Sequence, residues 1–146
     1  MKTKLFLRIA AVLTLLYCAG HTSGIPWTPG KSKEANEVIR AMQTTPVIEE
    51  GINSNYWNFY YGFGVIISVF LLAAAVTLWQ LGAIARARPA LTRPMMITFF
   101  VSFIINAWCS LKYFFALPAV FALVISLLIS IAFFFSYREQ EETSFN

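Results

Sequence analysis

The chain has 146 residues, of which 58% are hydrophobic and only 12% are charged. Soluble domains carry about a quarter charged residues, so this composition is typical of a membrane protein. The net charge of +4 does not indicate nucleic-acid binding, because the basic residues are scattered around apolar runs instead of forming one stripe. Two cysteines and one histidine cannot supply a Cys₄ or Cys₂His₂ zinc site or bis-histidine haem ligation within one chain. We therefore expect no metal and no other cofactor.

The first segment has two interpretations. Basic residues at Lys2, Lys4 and Arg8 precede an apolar run, and small residues follow it, which is the layout of a cleavable secretory signal. The same layout is typical of an uncleaved first transmembrane helix over residues 5–22, with its basic end in the cytoplasm. We favour the uncleaved helix, because the later apolar segments leave a polar stripe that a fourth helix would cover.

The only sizeable hydrophilic stretch covers residues 23–55. Within it, apolar residues at helical spacing predict a short amphipathic helix over residues 33–43 that could lie on a membrane surface. These apolar residues are Ala35, Val38, Ile39 and Met42. Pro46 then ends the helix, and the polar turn at residues 53–55 offers an N-cap for the next one.

Three long apolar runs follow in a region, residues 51–138, that contains no Asp or Glu. They predict transmembrane helices over residues 57–82, 94–112 and 117–137, each able to cross roughly 30 Å of hydrocarbon at about 1.5 Å per residue. Pro94 is well placed for a first helical turn. A connection of a few residues makes the last two helices an antiparallel hairpin. The acidic tail, residues 138–146, is expected to be solvated and mobile.

The distribution of positive charge predicts the topology. The loop at residues 83–93 carries three arginines and no acid, so by the positive-inside rule it is cytoplasmic. The cytoplasmic side would then hold seven basic residues: Lys2, Lys4, Arg8, Arg86, Arg88, Arg93 and Arg138. The outer side would hold four: Lys31, Lys33, Arg40 and Lys112. The sequence thus predicts an all-α, single-domain, integral membrane four-helix bundle with N and C termini both cytoplasmic.

Small and polar residues recur along one side of each predicted helix, and helix packing explains most of them. The alternative is an outward-facing pocket with an aromatic mouth, because Cys18 and Cys109 both lie about 8–9 Å outward of the bilayer midplane. The candidate pocket residues are Cys18, His21, Asn58, Tyr61, Asn106, Trp108 and Cys109.

The two cysteines have three interpretations: apolar packing, a structural disulfide, or a redox pair. His21, the sole histidine, could be a proton acceptor or a ligand, or could simply bond a neighbour at the helix end. Asn106 needs a partner inside the bundle, for which Asn58 or His21 would be suitable. Because the spans lack acids, a proton-coupled transporter or a carboxylate metal site is disfavoured.

Four segments together carry a resemblance to a known group of proteins. They are Gly20-His21-Thr22 at the end of a basic first helix, Ala41-Met42 in the polar segment, the run from Tyr56 to Gly64, and Asn106-Ala107-Trp108. In this order of features, residues 5 to about 136 resemble a family of small, uncharacterised bacterial four-helix inner-membrane proteins. The resemblance implies a multi-pass bundle in the bacterial cytoplasmic membrane and retention of the first helix. It implies no activity and no catalytic residue.

The leading hypothesis for function is a non-enzymatic protein of the lipid bilayer that associates with a membrane protein partner or a second copy, or that binds an apolar ligand. The competing hypothesis is a small redox or lipid-modifying enzyme that uses the cysteines and His21. A channel built by oligomerisation would lack the ring of charge expected at a selectivity filter.

Overall fold

The computed structural model describes residues 2–24, 30–48, 51 and 53–144, without the side chains of residues 142–144. Helices make up 89% of this described part, which contains no strand, so the all-α prediction is confirmed. The helices are α1 (Lys2–Ser23), α2 (Lys33–Thr44), α3 (Tyr56–Ala87), α4 (Pro89–Tyr113) and α5 (Ala116–Ser144). All but α2 are long and apolar enough to cross a membrane.

The loop predicted at residues 83–93 is reduced to one residue, Arg88, between α3 and α4. Alanines favour helix over residues 83–87, and Ala85 is buried, so α3 continues past the glycine at which it was expected to end. Pro89 takes the first position of α4, where a missing N–H leaves no bond unmade. Pro94 therefore lies inside α4 and does not begin it, as the sequence had suggested.

The end of the chain also differs from the expected mobile tail, because α5 remains helical to Ser144. Glu139 Oε1 accepts hydrogen bonds from the backbone N–H groups of Lys2 and Thr3, the latter at 3.2 Å. These amides belong to the first turn of α1, which has no intrahelical acceptors for them. The carboxylate of α5 thus caps α1. Residues 145 and 146 lie outside the described residues, as do residues 25–29, 49, 50 and 52 of the predicted polar segment.

The chain divides into two compact units. The first unit contains residues 1–17 and 71–146, and the second unit contains residues 18–70. Both α1 and α3 contribute to each unit, since the division falls within these helices. The single-domain organisation remains a prediction.

The first unit packs segments of four helices, with α4 and α5 joined by two residues into the predicted antiparallel hairpin. Its buried side chains are apolar or small and recur at helical steps along each element. They include Leu7, Ala10, Thr14, Leu78, Leu81, Met96, Phe103, Ala107, Ala122, Ile125 and Ile129. At Gly82, an added Cβ atom would lie 3.3 Å from Arg8 Cγ and from the Lys4 carbonyl oxygen. This glycine therefore lets α1 and α3 approach closely.

One end of the first unit collects positive charge. Here Glu139 of α5 contacts the start of α1, and Gly82 near the end of α3 packs against the same part of α1. Arg93, near the start of α4, donates a hydrogen bond to Ser136 of α5. We call this end the basic end. Its cationic side chains are Lys2, Lys4, Arg8, Arg86, Arg88, Arg93 and Arg138, the set that the sequence placed on one side of a membrane.

The second unit is tied together by turns and caps. Ser32 Oγ accepts the Ala35 N–H at 3.2 Å and caps the start of α2, whereas Asn55 Oδ1 accepts the Asn58 N–H at 2.9 Å and caps α3. The sequence had placed the second cap within residues 53–55. An isolated antiparallel bridge between Pro46 and Asn55 joins the two helices. No residue of α2 is fully buried, but Ala35, Ile39 and Met42 on its apolar side are half-buried, whereas Val38 is 60% exposed.

Candidate functional site

The seven predicted pocket residues are divided between the two units. Cys18, His21, Asn58 and Tyr61 belong to the second unit, and Asn106, Trp108 and Cys109 belong to the first. Within the second unit, the structure brings Cys18 and His21 to α3, where they meet backbone and side-chain groups of Gly64 and Ser68. The sequence had assigned these two residues to helix packing or, alternatively, to the stripe that could line a pocket.

These groups form what we call the polar cluster: Cys18, His21, Thr22, Gly64 and Ser68. The Cys18 thiol donates to the Ser68 carbonyl oxygen at 3.3 Å. The His21 ring approaches the Gly64 carbonyl oxygen through Nε2 at 3.2 Å. The hydroxyls of Thr22 and Ser68 lie 2.9 Å apart, and each also reaches a carbonyl oxygen of its own helix. The last turns of α1 are therefore fastened to α3 by hydrogen bonds.

The acceptors in the polar cluster determine where its protons lie. Because a carbonyl oxygen only accepts, Nε2 of His21 must carry a hydrogen, and the Cys18 sulfur must be a protonated thiol to donate to Ser68. The hydroxyls of Thr22 and Ser68 have one hydrogen each for three contacts. When Thr22 donates to Ser68, Ser68 donates to the Gly64 carbonyl oxygen; when Thr22 donates to the Cys18 carbonyl oxygen, Ser68 can donate to Thr22 instead. In this arrangement the thiol and the imidazole are each engaged with backbone. The geometry holds two helices together and does not present a thiolate to a substrate.

The other two candidates in the second unit lie in the first turns of α3. Asn58 uses its backbone N–H in the Asn55 cap, and its side chain is exposed. Tyr61 is half-buried, whereas its neighbours Tyr60 and Phe63 are exposed by 53% and 62%. The start of α3 thus presents aromatic side chains outward, a pattern typical of a helix end at a membrane interface.

In the first unit, Asn106 finds a partner that the sequence did not suggest. The Tyr17 hydroxyl donates to Asn106 Oδ1 at 3.0 Å, and the Tyr17 ring stacks on Phe121 with centroids 5.6 Å apart. Asn58 and His21 had been considered as partners. The helical face that carries Thr14 and Cys18 could have pointed to Tyr17, because a step of three connects Thr14 to it. The amide therefore links α1 to α4 inside the first unit.

Trp108 and Cys109 lie near the end of α4 and do not share the environment of Asn106. Trp108 is exposed by 58%, and its ring contacts Tyr113 edge-on, with Lys112 Nζ 5.0 Å from both ring centroids. This group is typical of a membrane interface, where a lysine and aromatic rings lie together. Cys109 is half-buried, and both cysteines are free thiols, so the disulfide considered from sequence does not form here.

The sequence did not predict the contacts that Arg93 makes at the basic end of the first unit. Arg93 donates to Ser136 Oγ at 3.0 Å, to the Ser136 carbonyl oxygen at 2.9 Å and to Gln140 Oε1 at 2.7 Å. Its guanidinium carbon also lies 3.6 Å from the Tyr137 ring centroid. Among the described residues, no group of three or more His, Cys, Asp or Glu side chains could hold a metal ion.

Comparison of the chain with protein-family models, with curated protein sequences and with solved structures gives no match. Its function is therefore inferred from its own residues.

Proposed function

We propose that this chain is a multi-pass protein of the bacterial cytoplasmic membrane whose role is binding and not catalysis. It crosses the bilayer through α1, α3, α4 and α5, with both termini in the cytoplasm. Within the bilayer it associates with a protein partner, either another membrane protein or a second copy, or it holds an apolar ligand.

The exposed surface supports insertion. Large apolar side chains point away from the packed faces of the long helices, for example Phe70 at 70% exposure, Ile105 at 55% and Phe134 at 72%. A soluble monomer rarely exposes contiguous apolar patches beyond a few hundred Å². In hydrocarbon the same surface has no such cost, and the helices satisfy their own backbone groups.

The basic end supports the orientation. It gathers the seven cationic side chains named above, and positive charge is retained on the cytoplasmic side of a membrane. Of the other four basic residues, Lys31, Lys33 and Arg40 belong to the second unit, and Lys112 ends α4, which begins at the basic end.

The observation that carries the proposal is the state of the polar cluster, because its thiol and its imidazole are engaged in interhelical hydrogen bonds. A redox or lipid-modifying enzyme would need these groups available for reaction. Binding to a partner receives separate support from α4. Its Thr98 and Ser102 are exposed, yet their hydroxyls donate to Pro94 and Thr98 carbonyl oxygens of the same helix. A small, internally satisfied face of this kind suits close helix–helix contact.

Site-specific photocrosslinking in intact membranes tests the association. A photoreactive side chain at Ser102 is expected to give a discrete protein adduct. The same group at Leu127, which is exposed by 59% on α5, serves as the matched control and is expected to give lipid adducts only. Adducts of one mass from both positions, or protein adducts from neither, would contradict association through α4.

Two further measurements separate the parts of the proposal. Resistance to alkaline extraction, together with reporter fusions at each terminus, tests insertion and orientation. Cys18→Ser and Cys109→Ser variants test the competing hypothesis: binding predicts a folded protein with unchanged phenotype. Loss of phenotype with an unchanged fold would instead favour the enzyme.

A further inference from the structure

Two shallow grooves lie on α5 at the basic end of the first unit, on either side of Phe134 and Arg138. The first has a volume of about 270 Å³ and is lined by Ser130, Ile131, Phe134, Phe135 and Arg138. The second has a volume of about 250 Å³ and includes Tyr137 and Glu141 in its lining. The two grooves share an arginine but differ in the charge of their remaining polar residues.

The first groove combines an apolar floor with one arginine, and a lysine lies against one of its aromatic rings. Phe135 stacks on Phe6 of α1 with ring centroids 5.6 Å apart and an interplanar angle of 7°. Lys2 Nζ lies 4.9 Å from the centroid of the same Phe135 ring. Arg138 is exposed, and its guanidinium has no hydrogen-bond or ion-pair partner among the described residues. Arg138 therefore lines the groove, Lys2 lies against the ring of its Phe135, and no acid is among the lining residues. The nearby Glu139 carboxylate is engaged with the backbone amides of Lys2 and Thr3.

The shape of this groove suits a molecule with an anionic head and an apolar chain. From Arg138 to Ser130 the helix rises by about 12 Å, at 1.5 Å per residue, and the residues between them on this face are apolar. A guanidinium binds phosphate through two parallel hydrogen bonds, and clusters of basic residues beside a membrane span favour anionic lipid. The second groove is less suitable, because the Glu141 carboxylate would repel a phosphate.

We propose that the first groove is a binding site for an anionic phospholipid. The phosphate lies against Arg138 and the Lys2 ammonium, and one acyl chain follows Phe134 toward Ser130. This inference rests on the proposed membrane insertion, since only an inserted chain meets its lipid in this orientation. It adds a preference for headgroup charge that insertion alone does not require.

Native mass spectrometry of the full chain in mild detergent tests the site, with phosphatidylglycerol or phosphatidylcholine of the same acyl chains as the titrant. The wild-type chain is expected to bind phosphatidylglycerol several-fold more tightly. Arg138→Gln and Lys2→Gln should each weaken phosphatidylglycerol binding by about fivefold, the effect expected of one basic residue near anionic lipid. Arg88→Gln is the matched control, because it removes an exposed cation of the basic end that does not line the groove; it should change binding by less than twofold.

A second variant tests the chain-binding part. Ser130 is exposed, so Ser130→Phe should fill the apolar end of the groove without disturbing packing, and should weaken binding of long-chain phosphatidylglycerol while leaving a short-chain analogue unaffected. Equal losses in Arg138→Gln and Arg88→Gln, or equal affinities for the two lipids, would overturn the site. If the chain nevertheless floats with vesicles and resists alkaline extraction, the proposed function survives. A chain that fails to insert removes both.

Discussion

The two compact units are held by different interactions. The first unit buries large side chains completely, among them Leu7, Leu78 and Ile125, each with no exposed surface. The second unit buries few side chains, and α2 buries none. Its described elements are held instead by the polar cluster, by the caps at Ser32 and Asn55, and by the β-bridge between Pro46 and Asn55. Close packing dominates one unit, and satisfied polar groups dominate the other.

This difference follows from where the chain leaves regular helix. In the first unit the connections are one or two residues long, so few backbone groups need outside partners. In the second unit the chain enters and leaves α2, and each helix end exposes unpaired N–H or C=O groups that turns and caps must satisfy. Substitutions should therefore act through lost volume in one unit and through lost hydrogen bonds in the other.

The largest expected effect is a cavity in the first unit. Leu78→Ala removes a side chain with no exposed surface and should lower the free energy of unfolding by about 2–5 kcal/mol. Leu72→Ala makes the same change on the same helix at a position that is 48% exposed, and should cost less than about 1 kcal/mol. Reversible unfolding in mixed micelles measures both. Equal losses would mean that close packing is not what distinguishes this unit.

The second largest effect is expected for Arg93. This residue is an exception in the first unit, because it joins two helices by hydrogen bonds and not by close packing. Arg93→Ala removes three donated hydrogen bonds to α5 and the stacking on Tyr137, and should cost about 1.5–3 kcal/mol. Arg93→Lys should recover only part of this, because an ammonium cannot reproduce the guanidinium fork. Arg86→Ala at an exposed position is the control, with an expected cost below about 0.5 kcal/mol. The same unfolding assay would refute the contact if both alanine variants behaved alike.

A smaller effect is expected in the polar cluster. The hydroxyls of Thr22 and Ser68 lie 2.9 Å apart, and such interhelical bonds in a bilayer contribute about 0.6 kcal/mol on average and rarely more than about 2. A double-mutant cycle with Thr22→Val and Ser68→Ala should give a coupling energy in that range. Zero coupling would show that each hydroxyl is satisfied by its own helix alone, and the second unit would lose one of its ties.

The smallest effect concerns pH and α2. Hydrogen bonds from its own backbone N–H and from the Ser32 hydroxyl lower the pKa of the exposed Glu34 carboxyl. The ionised form is thus favoured in the folded state, so its stabilisation is complete above the ordinary glutamate pKa of about 4.3 and is lost as pH falls through the lower folded value. Amide hydrogen exchange in α2 should accelerate over this interval in the wild type, relative to the intrinsic rate, and not in Glu34→Gln. Identical pH profiles would contradict the contact.

The sequence was sufficient for the helices but not for their ends. Apolar runs and a 3.6-residue period located four long helices and α2, because these signals are local. The end of α3 was misjudged because Gly82 resembles a terminator, whereas it lies within the helix and leaves room for Arg8 and Lys4 of α1, which would lie 3.3 Å from an added Cβ atom. The end of α5 was misjudged because polar composition suggested a solvated tail, whereas Glu139 bonds the start of α1.

The candidate site was recovered only in part, for a related reason. The stripes that carry Cys18, Gly64 and Ser68 were visible at helical spacing, but spacing does not determine which stripe faces which. The pairing of Tyr17 with Asn106 depends on the adjacency of α1 and α4, which no local pattern specifies. Likewise, the arginines were counted for topology, and nothing in a count shows that Arg93 would fold back onto Ser136.

The capping of α1 by Glu139 also has a consequence for biogenesis. The amide of Lys2 and its acceptor are separated by 137 positions, so the intervening helices must have been synthesised before the two can meet. Until then the first turn of α1 must find other acceptors for these amides, such as water. The first turn of α1 is thus capped only after residue 139 has been synthesised, and a nascent chain that stalls before this residue would keep the turn uncapped.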